Sequence, residues 1–160
     1  MKIITKELRT KLLANFNEED GEHAPVMKLF FPWGSATWLI TEMVENDQDK
    51  LFGLCDLGFG CPELGYVSLS EMEEINGPLN LKIERDLHFK PRATLSVYAD
   101  AARLEGQIKT DQASLEAAYI IMYEKAEKTK ADLNSKVFCP ETGKPMSFAM
   151  MKALADVKAA

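Results

Sequence analysis

The amino-acid sequence predicts an α+β domain, with a mostly antiparallel sheet of about five strands, helices packed on one face and a helical carboxyl-terminal segment. Between residues 26 and 69, short apolar segments alternate with links of hairpin length that are rich in Gly, Pro and Asn. Apolar residues recur at helical spacing before residue 17 and after residue 94. Strands followed by a run of helices are typical of an antiparallel sheet covered by helices.

Local patterns place the individual elements. Thr5 can cap a first helix that ends before the polar loop at residues 17–22. Strands are predicted over residues 26–31, 36–43, 51–57, 64–69 and 79–89. Ser70 and Glu73 fit a capping box for a short helix between the last two strands. Three further helices are predicted over residues 95–105, over 111–135 and from Ser147 onward, where Met146 and Met151 can form a hydrophobic staple.

Length and composition favour one globular unit that needs neither a disulfide nor a structural metal to fold. The chain has 160 residues, of which 46% are hydrophobic and 28% are charged. We expect an α+β domain over residues 1–110 and a helical extension over 111–160 that packs on it. Ile120 and Ile121 leave open whether this extension also contacts a partner chain.

The charge and the cysteines limit the possible partners and the compartment. The net charge of −6 belongs entirely to residues 1–110, and no cluster of Lys and Arg stands out. This pattern disfavours binding to duplex nucleic acid. The chain shows no signal-peptide core, and its apolar runs are too short to span a membrane. With three cysteines, an odd number, we expect reduced thiols and a cytoplasmic location.

A repeated pattern around two cysteines raises the question of a metal site. Cys61 and Cys139 each begin the pattern C-P-E-x-G, and Cys55 with His88 could complete four zinc ligands. A zinc knuckle normally carries two ligands a few residues apart, and here Leu64 and Thr142 stand in that place. Proline followed by glycine at this spacing makes a turn. We therefore predict no metal and no cofactor.

The predicted fifth strand carries the most informative polar pattern. Strand side chains alternate between faces, so Glu84, Asp86 and His88 fall on one side at neighbour distances of roughly 7 Å. Two carboxylates and an imidazole at that spacing could hold a divalent cation or divide acid and base roles. The same alternation is equally expected of a sheet face that water covers. The stripe is therefore a candidate catalytic site, and both interpretations stay open.

Two further groups of residues complete the candidate sites. Arg85 falls at the centre of an apolar strand face, where an unpaired charge is costly, so we predict an ion pair with Asp56. Glu63 is the second choice of partner. The link between the third and fourth strands contains Gly58, Gly60 and Glu63, and its glycines would let a partner approach the backbone closely. This link is the candidate binding loop.

Five segments together resemble a known family. The chain contains F-G-L-C-D-L-G-F-G-C-P-E-L-G-Y-V, the opening T-K-E-L-R-T-K-L-L-A-N, V-M-K-L-F-F-P followed by A-T-W-L-I-T-E, and G-P-L-N-L-K-I-E-R-D-L-H-F. It resembles, over about residues 3–108, domain-of-unknown-function family 2958, uncharacterised bacterial proteins common on plasmids, integrative elements and phages. The resemblance implies a small accessory protein of a mobile element and supplies no catalytic residues.

Two functions from different classes follow. The first is a non-catalytic module that binds a protein of the host or of the element through its acidic strand surface or its Gly-rich loop. The alternative is a small metal-dependent hydrolase or nucleic-acid-processing enzyme that uses Glu84, Asp86 and His88. Convergence of Asp56, Glu63, Arg85 and His88 on one concave pocket would favour the enzyme, and a flat or convex arrangement would favour the binding module. The oligomeric state stays open.

Overall fold

The computed structural model describes residues 2–18, 22–129, 137–138 and 145–146. The four helices are α1 Lys6–Phe16, α2 Leu69–Glu74, α3 Leu95–Glu105 and α4 Gln112–Thr129. The main sheet contains β1 Met27–Phe30, β2 Thr37–Met43, β3 Lys50–Asp56, β4 Glu63–Ser68 and β5 Glu84–Arg85. A two-stranded ribbon contains β6 Val137–Phe138 and β7 Pro145–Met146.

The strands of the main sheet lie in the order β4-β3-β2-β1-β5, and all neighbours are antiparallel. The predicted α+β class with a five-stranded antiparallel sheet is confirmed. In this order β2 and β3 are central, while β4 and β5 form the two edges. No helix in the described part of the chain is long and apolar enough to cross a membrane.

Helices cover both faces of the sheet, in contrast to the prediction of one covered face. On the first face, Leu29, Trp38 and Ile40 pack with Leu12 of α1. On the second face, Leu39 and Leu54 pack with buried residues of α3 and α4. The physical reason is that β2 and β3 carry apolar side chains on both faces of the sheet. Burial of each face stabilises the fold, so each face is covered by helices. A helix before the strands and a helix pair after them supply the two covers.

The first two helices begin at side chains that cap their free backbone amides, and one of these caps differs from the predicted one. The Oγ1 of Thr5 accepts a hydrogen bond from the amide of Leu8, as predicted for the cap of α1. Helix α2 begins earlier than predicted, because the Oγ of Ser68, and not of Ser70, accepts from the amide of Glu71. Asp49 holds this turn by accepting from the Ser68 hydroxyl and the Ser70 amide, which lowers its pKa.

The fifth strand is two residues long, so the prediction of a strand over residues 79–89 is wrong. Leu79 and Asn80 have positive φ angles of 56° and 61°, which end any extended run before β5. On the other side, the amide of His88 donates to Oδ1 of Asp86 at 2.9 Å and turns the chain away. The sequence does alternate as a strand would, but the bond from the His88 amide to the Asp86 side chain competes with hydrogen bonding between strands here.

The helices predicted after residue 94 are confirmed in part. Helix α3 ends at Gly106, which has a φ of 66°, as expected. Helix α4 begins at Gln112, and its Leu115 and Ala118 are buried against α3. The remainder of the helix predicted over 111–135, the helix predicted from Ser147 and the contact between Met146 and Met151 lie outside the described residues. The division into 1–110 and 111–160 stays a prediction.

Gly53, in the middle of β3, provides a stability test of this packing. A Cβ at this position would overlap the carbonyl oxygen of Leu39 and lie 2.9 Å from the Cα of Ile40. We therefore expect Gly53→Ala to lower the free energy of unfolding by about 1–3 kcal/mol in a urea titration. Gly34→Ala is the matched control, because the nearest atom to its added Cβ would be Cδ2 of Phe31 at 3.6 Å, an ordinary van der Waals contact. Equal midpoints for both variants would contradict the close approach of β2 and β3.

Candidate functional site

The carboxylate of Asp56 organises the link between β3 and β4. Asp56 is 2% exposed, and its Oδ1 accepts from the amide of Gly58 at 2.8 Å. Its Oδ2 accepts from the amide of Ile108 at 2.9 Å, in the connection between α3 and α4. Hydrogen bonds from backbone amides to an ionised carboxylate are among the stronger ones in proteins. One side chain therefore fixes the link and joins it to the helices on the second face.

The link itself, residues 57–62, is called the hairpin tip below. Gly58 and Gly60 have φ angles of 83° and 82°, a region that other residues rarely adopt. A Cβ on Gly58 would overlap the hydroxyl of Ser35, in the turn between β1 and β2. On the other side, a Cβ on Gly106 would lie 3.8 Å from the carbonyl oxygen of Gly60. The tip is thus held between a neighbouring turn and the end of α3.

Two large apolar side chains of this tip face solvent. Phe59 is 85% exposed and Leu57 is 56% exposed. The hairpin continues into β4, where Leu64 and Tyr66 are also exposed. Leu64 also lines a cavity of about 450 Å³, together with residues 60–63 and Arg103. Several exposed apolar side chains on one hairpin make it a candidate interaction surface.

The predicted ion pair between Asp56 and Arg85 is wrong. Nη1 of Arg85 donates to the carbonyl oxygen of Ile3 at 2.9 Å. Arg85 pairs in register with Leu29 and so belongs to the first face, whereas Asp56 pairs with Thr37 on the second. Strands β2 and β1 also separate β3 from β5, which places the two backbones about 14 Å apart. Backbone groups, and not opposite charges, satisfy both side chains.

The predicted stripe does not form a strand face. Glu84 is exposed at the start of β5, Asp86 lies 3.8 Å from Nζ of Lys28, and His88 is exposed beyond the strand end. Asp86 and His88 line an open groove of about 570 Å³ together with Phe30. Among the described residues, no group of three or more His, Cys, Asp and Glu side chains is placed to hold a metal ion.

The two candidate sites lie at opposite edges of the sheet. The loop with Gly58, Gly60 and Glu63 belongs to the hairpin that ends in β4, and the stripe belongs to β5. Asp56, Glu63, Arg85 and His88 therefore do not share one concave pocket. The condition stated above for the enzyme is therefore not met by these four residues.

His23, whose side chain is 11% exposed, is the centre of a further group of polar residues outside the two candidate sites. Its Nδ1 lies 3.7 Å from Oε2 of Glu18, and its Nε2 has no hydrogen-bond partner among the described residues. Burial raises the pKa of Glu42, and the nearby charge of His23 partly offsets the rise. The carbonyl oxygen of His23 accepts from the amide of Leu95 at the start of α3. These contacts join the chain before β1 to α3, which is a structural role.

Sequence reasoning named the glycines of the tip but missed its apolar side chains. The sequence pattern places Leu57 at a strand end and Phe59 in a turn, whereas the structure exposes both side chains at the tip. Phe59 between two glycines is a sequence signal of an exposed contact residue, because a glycine-rich turn rarely needs a phenylalanine for its own geometry. The sequence also predicts a strand that contains Leu64 and Tyr66, but no sequence pattern indicates that this strand lies at an edge of the sheet.

One comparison with known proteins identifies a family. The model of a family described as protein of unknown function (DUF2958) matches residues 3–109 of the 160. No curated protein and no solved structure matches. Because the match covers more than half of the chain, the chain belongs to this family. The family description assigns no activity.

Replacement of Asp56 tests its organising role. Asp56→Ala leaves two backbone amides without their acceptor, and we expect a loss of about 1–3 kcal/mol for each one that stays buried. Urea unfolding measures this loss. Asp47→Ala is the control, since it removes a surface pair with Lys50 and should change stability by less than about 1 kcal/mol. A midpoint unchanged in Asp56→Ala would show that the tip does not depend on this carboxylate.

Cys55 provides a test of burial at the same end of β3. Burial raises the pKa of its thiol to about 11, so about one molecule in a thousand carries the thiolate at pH 8. We expect slow modification by a disulfide reagent in a Cys61→Ser/Cys139→Ser variant, with a rate that rises about tenfold per pH unit below 11. Fast labelling of the folded variant at pH 8, with a rate that does not change with pH, would contradict a half-buried, unactivated thiol.

Proposed function

We propose that this member of the DUF2958 family is a non-catalytic protein-binding module, and that it serves a mobile genetic element in the cytoplasm of its host. The association with mobile elements rests on what the sequence resemblance implies. The binding role rests on one observation of the structure, the exposed apolar side chains of the hairpin tip. Its partner is a protein of the host or of the element.

Phe59 supports this proposal most directly. A phenylalanine that is 85% exposed gains little from folding, because burial of apolar surface provides the main favourable free energy. Single exposed apolar residues are common, but here Leu57 lies two residues away on the same tip. Aromatic side chains at the centre of an interface often carry much of the binding free energy. Phe59 would be such an anchor, inserted into an apolar pocket of the partner.

The rigidity of the tip also supports binding. Association costs free energy when a loop must be ordered, and a loop already fixed avoids that cost. Here the amide of Gly58 is held by Asp56, and the backbone at Gly58 and Gly60 fits against Ser35 and Gly106. The anchor therefore projects from a fixed platform. Loops on rigid scaffolds are common places for recognition.

The charge distribution indicates the kind of partner. The net charge of −6 of residues 1–110 repels nucleic-acid phosphates and attracts basic surfaces. Glu63 stands at the start of β4, directly after the tip. A protein with an apolar pocket and basic residues at its rim would fit this surface.

A capture experiment tests the proposal. The tagged chain is incubated with a lysate of the bacterium that encodes it, and bound proteins are identified by mass spectrometry. We expect a discrete partner that the wild type retains and that Leu57→Ser/Phe59→Ser loses by about tenfold or more, because the anchor is removed. Circular dichroism and urea unfolding verify that the variant is folded.

The matched control is the triple variant Glu84→Ala/Asp86→Ala/His88→Ala at the opposite edge of the sheet. It should keep the partner, since none of its changes lies on the tip. Loss of the partner in this control, with retention in Leu57→Ser/Phe59→Ser, would contradict the tip and return the function to the stripe.

A further inference from the structure

We propose that β4 pairs antiparallel with β4 of a second copy of this chain, around a two-fold axis at Gly65. The two five-stranded sheets would then form one continuous sheet of ten strands. This inference goes beyond the proposed function, because it concerns the outer edge of β4 and not the hairpin tip. It has three steps.

The first step is that β4 is an open edge. In the described part of the chain β4 pairs with β3 alone, so its outer side has no strand against it. The sequence of β4 is E-L-G-Y-V-S, without a lysine, a proline or a bulge, and these are devices that normally protect an edge from pairing. The opposite edge differs, because β5 has two residues and is interrupted on both sides.

The second step identifies the backbone groups that face outward. Ser68 lies opposite Lys50, and the hydrogen bond between the Leu69 amide and the Asp49 carbonyl oxygen, 2.8 Å long, lies beyond that pair. This pattern marks Ser68 and Lys50 as a pair that is not hydrogen-bonded to each other. Because the two pair types alternate, Val67, Gly65 and Glu63 bond to β3. The amides and carbonyls of Tyr66 and Leu64 therefore point to the open edge.

The third step is that this edge is complementary to itself. With the axis at Gly65, Leu64 of each copy lies opposite Tyr66 of the other, and the outward groups of both residues meet in hydrogen-bonded pairs. Glu63 lies opposite Val67, so no like charges oppose each other. Leu64 and Tyr66, which are 41% and 61% exposed, would cover one another across the axis.

Gly65 itself fits the axis. It would lie opposite Gly65 of the second copy in a pair of the narrow type, where Cα atoms approach to about 4.5 Å. Nothing lies within 4 Å of the place where its Cβ would be, so the position is open as well as small. A foreign strand could use the same edge, but it would not need apolar residues placed symmetrically on both sides of a glycine.

Sedimentation velocity of the full chain over a concentration series tests the proposal. We expect a reversible dimer, and we expect Tyr66→Lys to raise its dissociation constant by about tenfold or more, because a lysine then stands on the edge in each copy. Glu84→Lys is the control at the opposite edge and should leave the dimer unchanged. Thermal melting verifies that both variants fold.

A cysteine at the axis tests the register. In a Cys61→Ser/Cys139→Ser background, with the half-buried Cys55 left in place, Gly65→Cys should form a disulfide-linked dimer on mild oxidation, since its Cα separation lies within the range for a disulfide. Glu84→Cys in the same background should not. A wild type that sediments as a monomer at every concentration, or a dimer that neither Tyr66→Lys nor Gly65→Cys affects, would overturn the proposal.

Discussion

A buried carboxylate with two backbone partners determines the geometry of this molecule at the end where its strands turn. Asp56 closes β3, fixes the hairpin tip through Gly58 and holds the connection between α3 and α4 through Ile108. A carboxylate with so little exposure would be costly without such partners, so the three segments must meet there. The position of Phe59 follows from that requirement, because the amide of the residue before it, Gly58, is hydrogen-bonded to Asp56.

The two central strands impose the second constraint. Because β2 and β3 are apolar on both sides, they can lie only in the middle of a sheet that is covered twice. That leaves β4 and β5 at the edges, and the two edges differ in length. The chain around β5 turns away after two residues, while β4 stays extended for six and ends at the cap of α2. The asymmetry of the edges is thus a consequence of which strands had to be buried.

Sequence reasoning predicted the class, the first four strands and the start of α1, because each depends on a local pattern of apolar residues, turns and caps. It failed at β5, where the alternation from Leu81 to Phe89 predicts a long strand. In the structure, Leu79 and Asn80 have positive φ angles before β5, and the Asp86 side chain forms a turn after it. It also paired Asp56 with Arg85, since the cost of a buried charge is visible in a sequence but the strand order is not. Backbone amides, which every sequence contains, were the partners it could not foresee.

These constraints determine where the two proposed contact surfaces lie. The hairpin of β3 and β4 ends at an edge of the sheet, so among the described residues no further strand lies against β4. The tip carries the proposed anchor, and within the part of the chain that the structure describes no strand pairs with the outward amides and carbonyls of β4. The first geometry suits a pocket on another protein, and the second suits a strand. One hairpin can therefore support two contacts at once, because Phe59 and the outward groups of Tyr66 lie on different parts of it.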